Sequence, residues 1–186
     1  NNNHSDNDKQ NDNINNSDIS SNIKNQLLTL HNEVRAKNKA PPLVWNNDLA
    51  KGTHRWLNYL KNNERCNMRH PTNSKRERNT YLNNGTWGQN LAFFQGIEGS
   101  PNDCFKGWVD DECPNYNPAN PADKSKGHTG HYTQIVWKNT KEVGCAKISC
   151  DGNKTLWGCN YNPAGNVYHS GNDKFKLFHE NVEKNC

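Results

Sequence analysis

Seven cysteines, all between Cys66 and Cys186, constrain this chain more than any other feature of its sequence. None forms a Cys-x-x-Cys pair, and no set of Cys and His has zinc-finger spacing, so a structural zinc site does not account for them. Disulfides made in an oxidising compartment do. Three crosslinks leave one thiol over, free or intermolecular. A secreted, extracellular protein is therefore expected. No apolar run approaches the roughly 20 residues needed to cross a bilayer. With no leader in view, the chain reads as a mature exported form. Sequons at Asn3, Asn15, Asn84 and Asn153 fit export, and Asn84 and Asn153 are the expected glycosylation sites.

Hydrophobic residues make up only 31% of the 186 residues, which is low for a globular chain. Much of the dilution lies in Asn1–Asn22, built mainly from Asn, Asp and Ser. Such a segment cannot bury enough apolar surface to offset its ordering entropy, so a disordered tail over 1–22 and a single domain over 23–186 are expected. The net charge of +4 is modest and its one basic cluster, Lys75, Arg76 and Arg78, reads as a solvated loop. No nucleic-acid partner is expected, because such binders gather cations on one face among aromatics.

Apolar residues at Ile23, Leu27, Leu30 and Val34 recur at helical spacing and predict a helix over 21–38, ended by Pro41–Pro42. Asn46-Asn47-Asp48 is a cap cluster for a second helix that closes near Asn62–Asn63. Thr86–Phe94 reads as an aromatic-rich strand, and a third helix begins near Pro101. Pro114, Pro118 and Pro121 enforce a loop, followed by a short helix from Gly130 to Trp137. Val143–Cys150 and Thr155–Tyr161 form a hairpin around Asp151-Gly152-Asn153. A further short strand or turn is expected within Asn172–Cys186. Helices and antiparallel strands without a βαβ rhythm give an α+β class.

Among the eight histidines, His31 reads as a buried structural residue and His54 as exposed, while His169 and His179 have no partner in register. His128 lies in a glycine-flanked loop and is a weaker candidate. His70, just after the Cys66 loop, and His131, at the start of a helix, are the candidates for chemistry. The acidic run Asp110-Asp111-Glu112 could add a carboxylate, and two imidazoles with a carboxylate and water are a usual zinc shell.

The blocks Gly130–Cys150 and Cys159–Tyr168 resemble the two signature stretches of the CAP superfamily, which comprises cysteine-rich secretory proteins, antigen 5, venom allergens and pathogenesis-related class 1 proteins. HNEVR (His31–Arg35), PLVWNNDLA (Pro42–Ala50), the Cys-x-x-x-His of Cys66–His70 and GQNLA (Gly88–Ala92) follow in family order. The resemblance covers everything after the tail. It implies a three-layer α-β-α sandwich with a small central antiparallel sheet and a cleft, and disulfides Cys66–Cys150 and Cys145–Cys159. Cys104, Cys113 and Cys186 are not placed by it.

The resemblance also carries two cleft histidines to His70 and His131, and two acids to position 89 and to Asp111 or Glu112. A single-residue insertion leaves that second choice open. Position 89 is Gln89, and an amide is neither a general base nor a good ligand for a cation such as zinc. Sterol carriage in relatives maps to the loop Pro114, Asn115, Tyr116, Asn117, Pro118 and on to Pro121, and fatty-acid carriage to a groove along the first helix. The leading expectation is lipid binding in host interaction or defence, with sterols or fatty acids as partners. The alternatives are an effector with a vestigial cleft that takes an extracellular protein partner, and a metal-dependent hydrolase in which His70, His131 and an acid activate water.

Overall fold

The computed structural model describes residues 19–72, 74, 77 and 87–186. The expectations for the first 18 residues, for Lys75, Arg76 and Arg78, for Asn84 and for Thr86 lie outside the described residues. Helix α1 (Ser21–Lys37) leads to strand β1 (Val44–Trp45), helix α2 (Asn47–Glu64) and strand β2 (Gly88–Gln95). Helix α3 (Pro101–Phe105) runs straight into a π-turn (Lys106–Asp110) and then a 3₁₀ turn (Cys113–Asn115). Helix α4 (Gly130–Val136), the hairpin β3 (Glu142–Cys150) and β4 (Lys154–Asn162), and helix α5 (Lys176–Asn181) complete the chain. The sheet order is β1-β3-β4-β2, with β1 parallel to β3 and the other pairs antiparallel.

Alternation along the strands builds two cores. Trp157, Cys159 and Tyr161 of β4 point to the face covered by α1, α3, α4 and α5, where Leu27, Phe105, Trp108, Ile135 and Phe178 join them. Leu156 of β4, with Ala146 and Ile148 of β3, points the other way to Trp56, Leu57 and Leu60 of α2. The result is the expected α+β, α-β-α sandwich. Gly144 permits the close seat of α2, because a Cβ there would lie 2.2 Å from the Ala50 nitrogen.

Local chemistry sets the helix ends. The Asn46 side chain accepts from the backbone N–H groups of Asp48 and Leu49 at 2.8 and 3.1 Å. Ser20 caps α1 through the Ile23 N–H, and Ile19 is buried. Ile19, an isolated isoleucine of the segment expected to be a tail, thus packs against the core among the described residues. The C-terminal segment is helix α5 and not a strand. Phe175, Phe178 and Val182 fall on one face, and the Phe178 ring meets Trp137 edge-on with centroids 5.1 Å apart.

Cys66–Cys150 ties the end of α2 to the end of β3, and Cys145–Cys159 links directly opposed residues of the hairpin. Cys113–Cys186 fastens the 3₁₀ turn to the C-terminus, leaving Cys104 as a buried free thiol. Arg35 is fully buried and donates to the carbonyls of Pro41, Ile135, Trp137 and Thr140, pinning α1 to α4 and the segment before β3. No helix among the described residues is long and apolar enough to cross a membrane.

Candidate functional cleft

His70 is placed by the turn that leaves α2. Arg65 and Cys66 adopt left-handed backbone (φ 52° and 60°), which reverses the chain, and the Cys66–Cys150 disulfide anchors it. The Trp56 indole then donates to the Arg69 carbonyl at 2.9 Å while the Arg69 guanidinium lies 4.9 Å over the Trp56 ring and pairs with Glu64 and Glu77. The backbone is fixed on both sides, and the His70 side chain is exposed. Its Nδ1 lies 2.9 Å from Gln89 Oε1, and Gln89 Nε2 donates to Asn160 Oδ1 at 2.9 Å.

His131 opens α4 and is held by Glu112. Glu112 Oε1 lies 2.6 Å from His131 Nδ1, and Oε2 accepts from the backbone N–H groups of His131 and Tyr132 at 2.8 and 3.1 Å. A carboxylate only accepts, so Nδ1 carries a proton, and in the neutral ring the lone pair is on Nε2. Thr129 makes no side-chain cap, and Glu112 supplies that role from a distant segment. The Trp108 ring lies over the imidazole with centroids 6.2 Å apart and planes 28° from parallel.

The π-turn decides between the two candidate acids. Asp111 N–H donates to the Lys106 carbonyl at 2.9 Å, a five-residue step that absorbs one extra residue. That extra residue turns the chain so that Glu112 is buried and Asp111 faces solvent, bound to Lys106 at 2.7 Å. Glu112 is thus the inward acid.

Consecutive residues of β2 reach the two histidine segments. Gln89 meets His70 on the α2 side, while Asn90 donates to the His131 carbonyl at 3.1 Å and to the Tyr161 hydroxyl at 3.2 Å. Tyr161 in turn bonds His31 Nε2 at 2.9 Å, and His31 Nδ1 meets the Leu27 carbonyl at 2.7 Å. Because Asn90 donates to Tyr161, the hydroxyl hydrogen goes to His31 Nε2, and His31 is neutral with its proton on Nδ1. Burial, with nearby Arg35, lowers the His31 pKa to about 4, against the bond to Leu27. Burial raises the Tyr161 hydroxyl well above its ordinary value. His31 is the structural residue expected of it.

Several expectations change. Tyr116, the one aromatic of the Pro114–Pro121 loop, is buried against Tyr132, and burial pushes its hydroxyl up to about 12. The loop surface is left to Pro114, Pro118, Ala119 and Asn120, with Asn115 and Asn117 partly exposed. His54 is half-buried and bonded to Asn58 one helical turn on, and His179 lies 3.9 Å from Asp173 in the segment before its helix. His128 is exposed. Asn153 is exposed in the hairpin turn at φ 55°.

Two recesses flank the π-turn. One, of about 240 Å³, runs from His131 and Glu112 along Trp108, Cys104, Leu91 and Phe94. The other, of about 270 Å³, lies beside α1 and is lined by Val34, Lys37, Val109, Asp110, Pro114 and the Cys113–Cys186 disulfide. Among the described residues, no group of three His, Cys, Asp or Glu is placed to hold a metal ion. Both Glu112 oxygens are committed and Gln89 is an amide, so the donor set does not fit zinc.

This α-β-α sandwich is the architecture of a known class. The chain belongs to CAP, the cysteine-rich secretory protein family, whose model matches residues 28–161. A pathogenesis-related protein PR-1 of Medicago truncatula is 33% identical over 147 residues, covering 78% of this chain and 76% of that protein. The solved structure of Schistosoma mansoni venom allergen-like protein 4 is 27% identical with a TM-score of 0.55, over 78% of this chain and 90% of that one. Na-ASP-1 superposes with a TM-score of 0.62 at 22% identity over 82% of this chain, which spans only 41% of the Na-ASP-1 chain.

Asn90, Asn160 and Tyr161 are the site residues that sequence reading missed. All three sit inside segments it singled out, but their roles arise only when β2 and β4 pair side by side.

Proposed function

We propose that this chain is a secreted lipid-binding protein that takes a single-chain lipid with an acidic head group in the groove beside α1. The observation that carries this is the lining of that groove. Val34, Val109, Pro114 and the Cys113–Cys186 disulfide give apolar walls, and Lys37 supplies a cation that a head group would share with Asp110 of the same groove. The fatty-acid mode is favoured over the sterol mode because Tyr116 faces inward and leaves the loop little apolar surface. Three disulfides support folding in an oxidising compartment, hence export. A role in host interaction or defence agrees with similarity to a protein named for pathogenesis.

The test is displacement of a fluorescent fatty acid from purified protein, comparing wild type with Lys37→Glu and Val109→Glu. Saturable binding that both variants weaken is the expected result. Absence of binding in folded wild type would overturn the reading, as would binding that neither variant changes. A fluorescent sterol run in parallel would return lipid carriage to the Pro114–Pro121 loop if it alone bound.

A further inference from the structure

The fully buried Asn160 has an unusual feature: its Nδ2 has no acceptor, although Oδ1 receives a hydrogen bond from Gln89. An amide nitrogen carries two hydrogens, so this orientation strands both in the interior. Turning both amides, of Gln89 and of Asn160, keeps every heavy atom in its site and reverses the chain of bonds. Asn160 Nδ2 then donates to Gln89 Oε1, and Gln89 Nε2 donates to His70 Nδ1. The turned arrangement leaves a carbonyl oxygen and at most one N–H unmet, in place of two unmet N–H groups. Buried carbonyl oxygens without a donor are better tolerated than buried N–H groups without an acceptor.

The direction of this chain fixes the proton on His70. A neutral imidazole has one donor and one acceptor nitrogen, and the partner of one decides the state of the other. If Gln89 donates to Nδ1, the proton sits on Nε2, the nitrogen on the far side of the ring from Gln89. We propose that Gln89 and Asn160 hold His70 in the Nε2–H form, so that His70 donates to an oxygen-bearing ligand, such as a carboxylate or a carbonyl, and is withheld from metal ions. His131 is held the opposite way. Its carboxylate partner forces the proton onto Nδ1 and leaves an Nε2 lone pair. The two imidazoles therefore differ at Nε2, one a donor and one an acceptor, where binding a metal ion through both would need two lone pairs.

This inference is independent of the lipid groove, which none of His70, Gln89 and Asn160 lines. Two-bond nitrogen–proton spectra of imidazole-labelled protein at mildly alkaline pH, where free imidazoles are neutral, read the tautomer directly. In wild type the His70 signals should show a protonated Nε2 and an unprotonated Nδ1. Gln89→Glu places an acceptor-only group at 89, so the same spectra should show the proton on Nδ1. Zinc titration by calorimetry should give at least tenfold tighter binding to Gln89→Glu than to wild type. A protonated Nδ1 on His70 in wild type would overturn the proposal, whether or not the variant folds. Equal zinc affinity in the two folded proteins would also overturn it.

Discussion

Acidification should act on this fold first through His31. The ring has no exposure, receives the Tyr161 hydroxyl hydrogen at Nε2 and donates from Nδ1 to the Leu27 carbonyl. A second proton would leave Tyr161 facing two donors, Asn90 and His31, with the Arg35 guanidinium nearby. Its folded pKa is lowered from 6.5 to about 4, chiefly by burial. In that interval the unfolded chain binds the proton and the folded one does not, so stability falls as pH falls. The contribution is complete above the unfolded value and is lost progressively between about pH 6.5 and about pH 4. A shift of this size amounts to about 3 kcal/mol over the whole interval and about 2 kcal/mol by about pH 5. Urea unfolding followed by tryptophan fluorescence, at neutral pH and near pH 5, measures the loss. His31→Gln has no imidazole to protonate, so its stability should change far less between the two conditions. The paired carboxylates Glu77, Glu98 and Glu183 have lowered pKa values and lose their contributions at lower pH, in both proteins alike. If wild type and His31→Gln lose stability equally on acidification, the assignment of His31 as the acid-sensitive group is wrong.

Other consequences are open to test. Glu112→Ala removes the acceptor of two backbone N–H groups and the His131 ring, and should cost about 3 kcal/mol in chemical unfolding; a loss within experimental error would deny Glu112 its capping role. Cys186→Ser opens a loop with a sequence separation of 73, worth about 4 kcal/mol by the chain-entropy argument, visible as a lowered Tm. Burial and nearby Asp103 push the Cys104 thiol up, so native protein should resist alkylation and take one label per chain only when unfolded without reductant. Rapid native labelling, or a disulfide-linked dimer on a non-reducing gel, would contradict that packing.

Local signals carried most of the fold. The Asn46 cap, the three- and four-residue spacing of α1 and the Asp151-Gly152 turn act within a few residues, and each element formed where those residues place it. The two-residue strand β1 has too few residues for a period, and it exists only because β3 pairs with it. Helix α5 had its apolar spacing in plain view at Phe175, Phe178 and Val182, but polar neighbours masked it. The cleft divides the same way. His70, His131 and Gln89 are legible from short motifs, whereas the choice of Glu112 over Asp111 turns on a backbone step of five residues. A sequence records that a residue is extra but not where the helix absorbs it. Tyr116 illustrates the converse, since an aromatic in a proline-rich loop looks available until the core behind it is seen.

The π-turn joins the two recesses mechanically. Trp108 and Glu112 wall the cleft side, and Val109, Asp110 and Pro114 wall the groove beside α1, so one short segment faces both. It is fastened at three points: the Trp108 indole on the Leu91 carbonyl at 2.9 Å, Glu112 on the start of α4, and Cys113 on Cys186. A segment held this way cannot widen the groove without shifting Glu112, and Glu112 fixes both the position and the tautomer of His131. The five-residue step that turns Glu112 inward and leaves Asp111 outside therefore also shapes the wall on which the proposed lipid would lie.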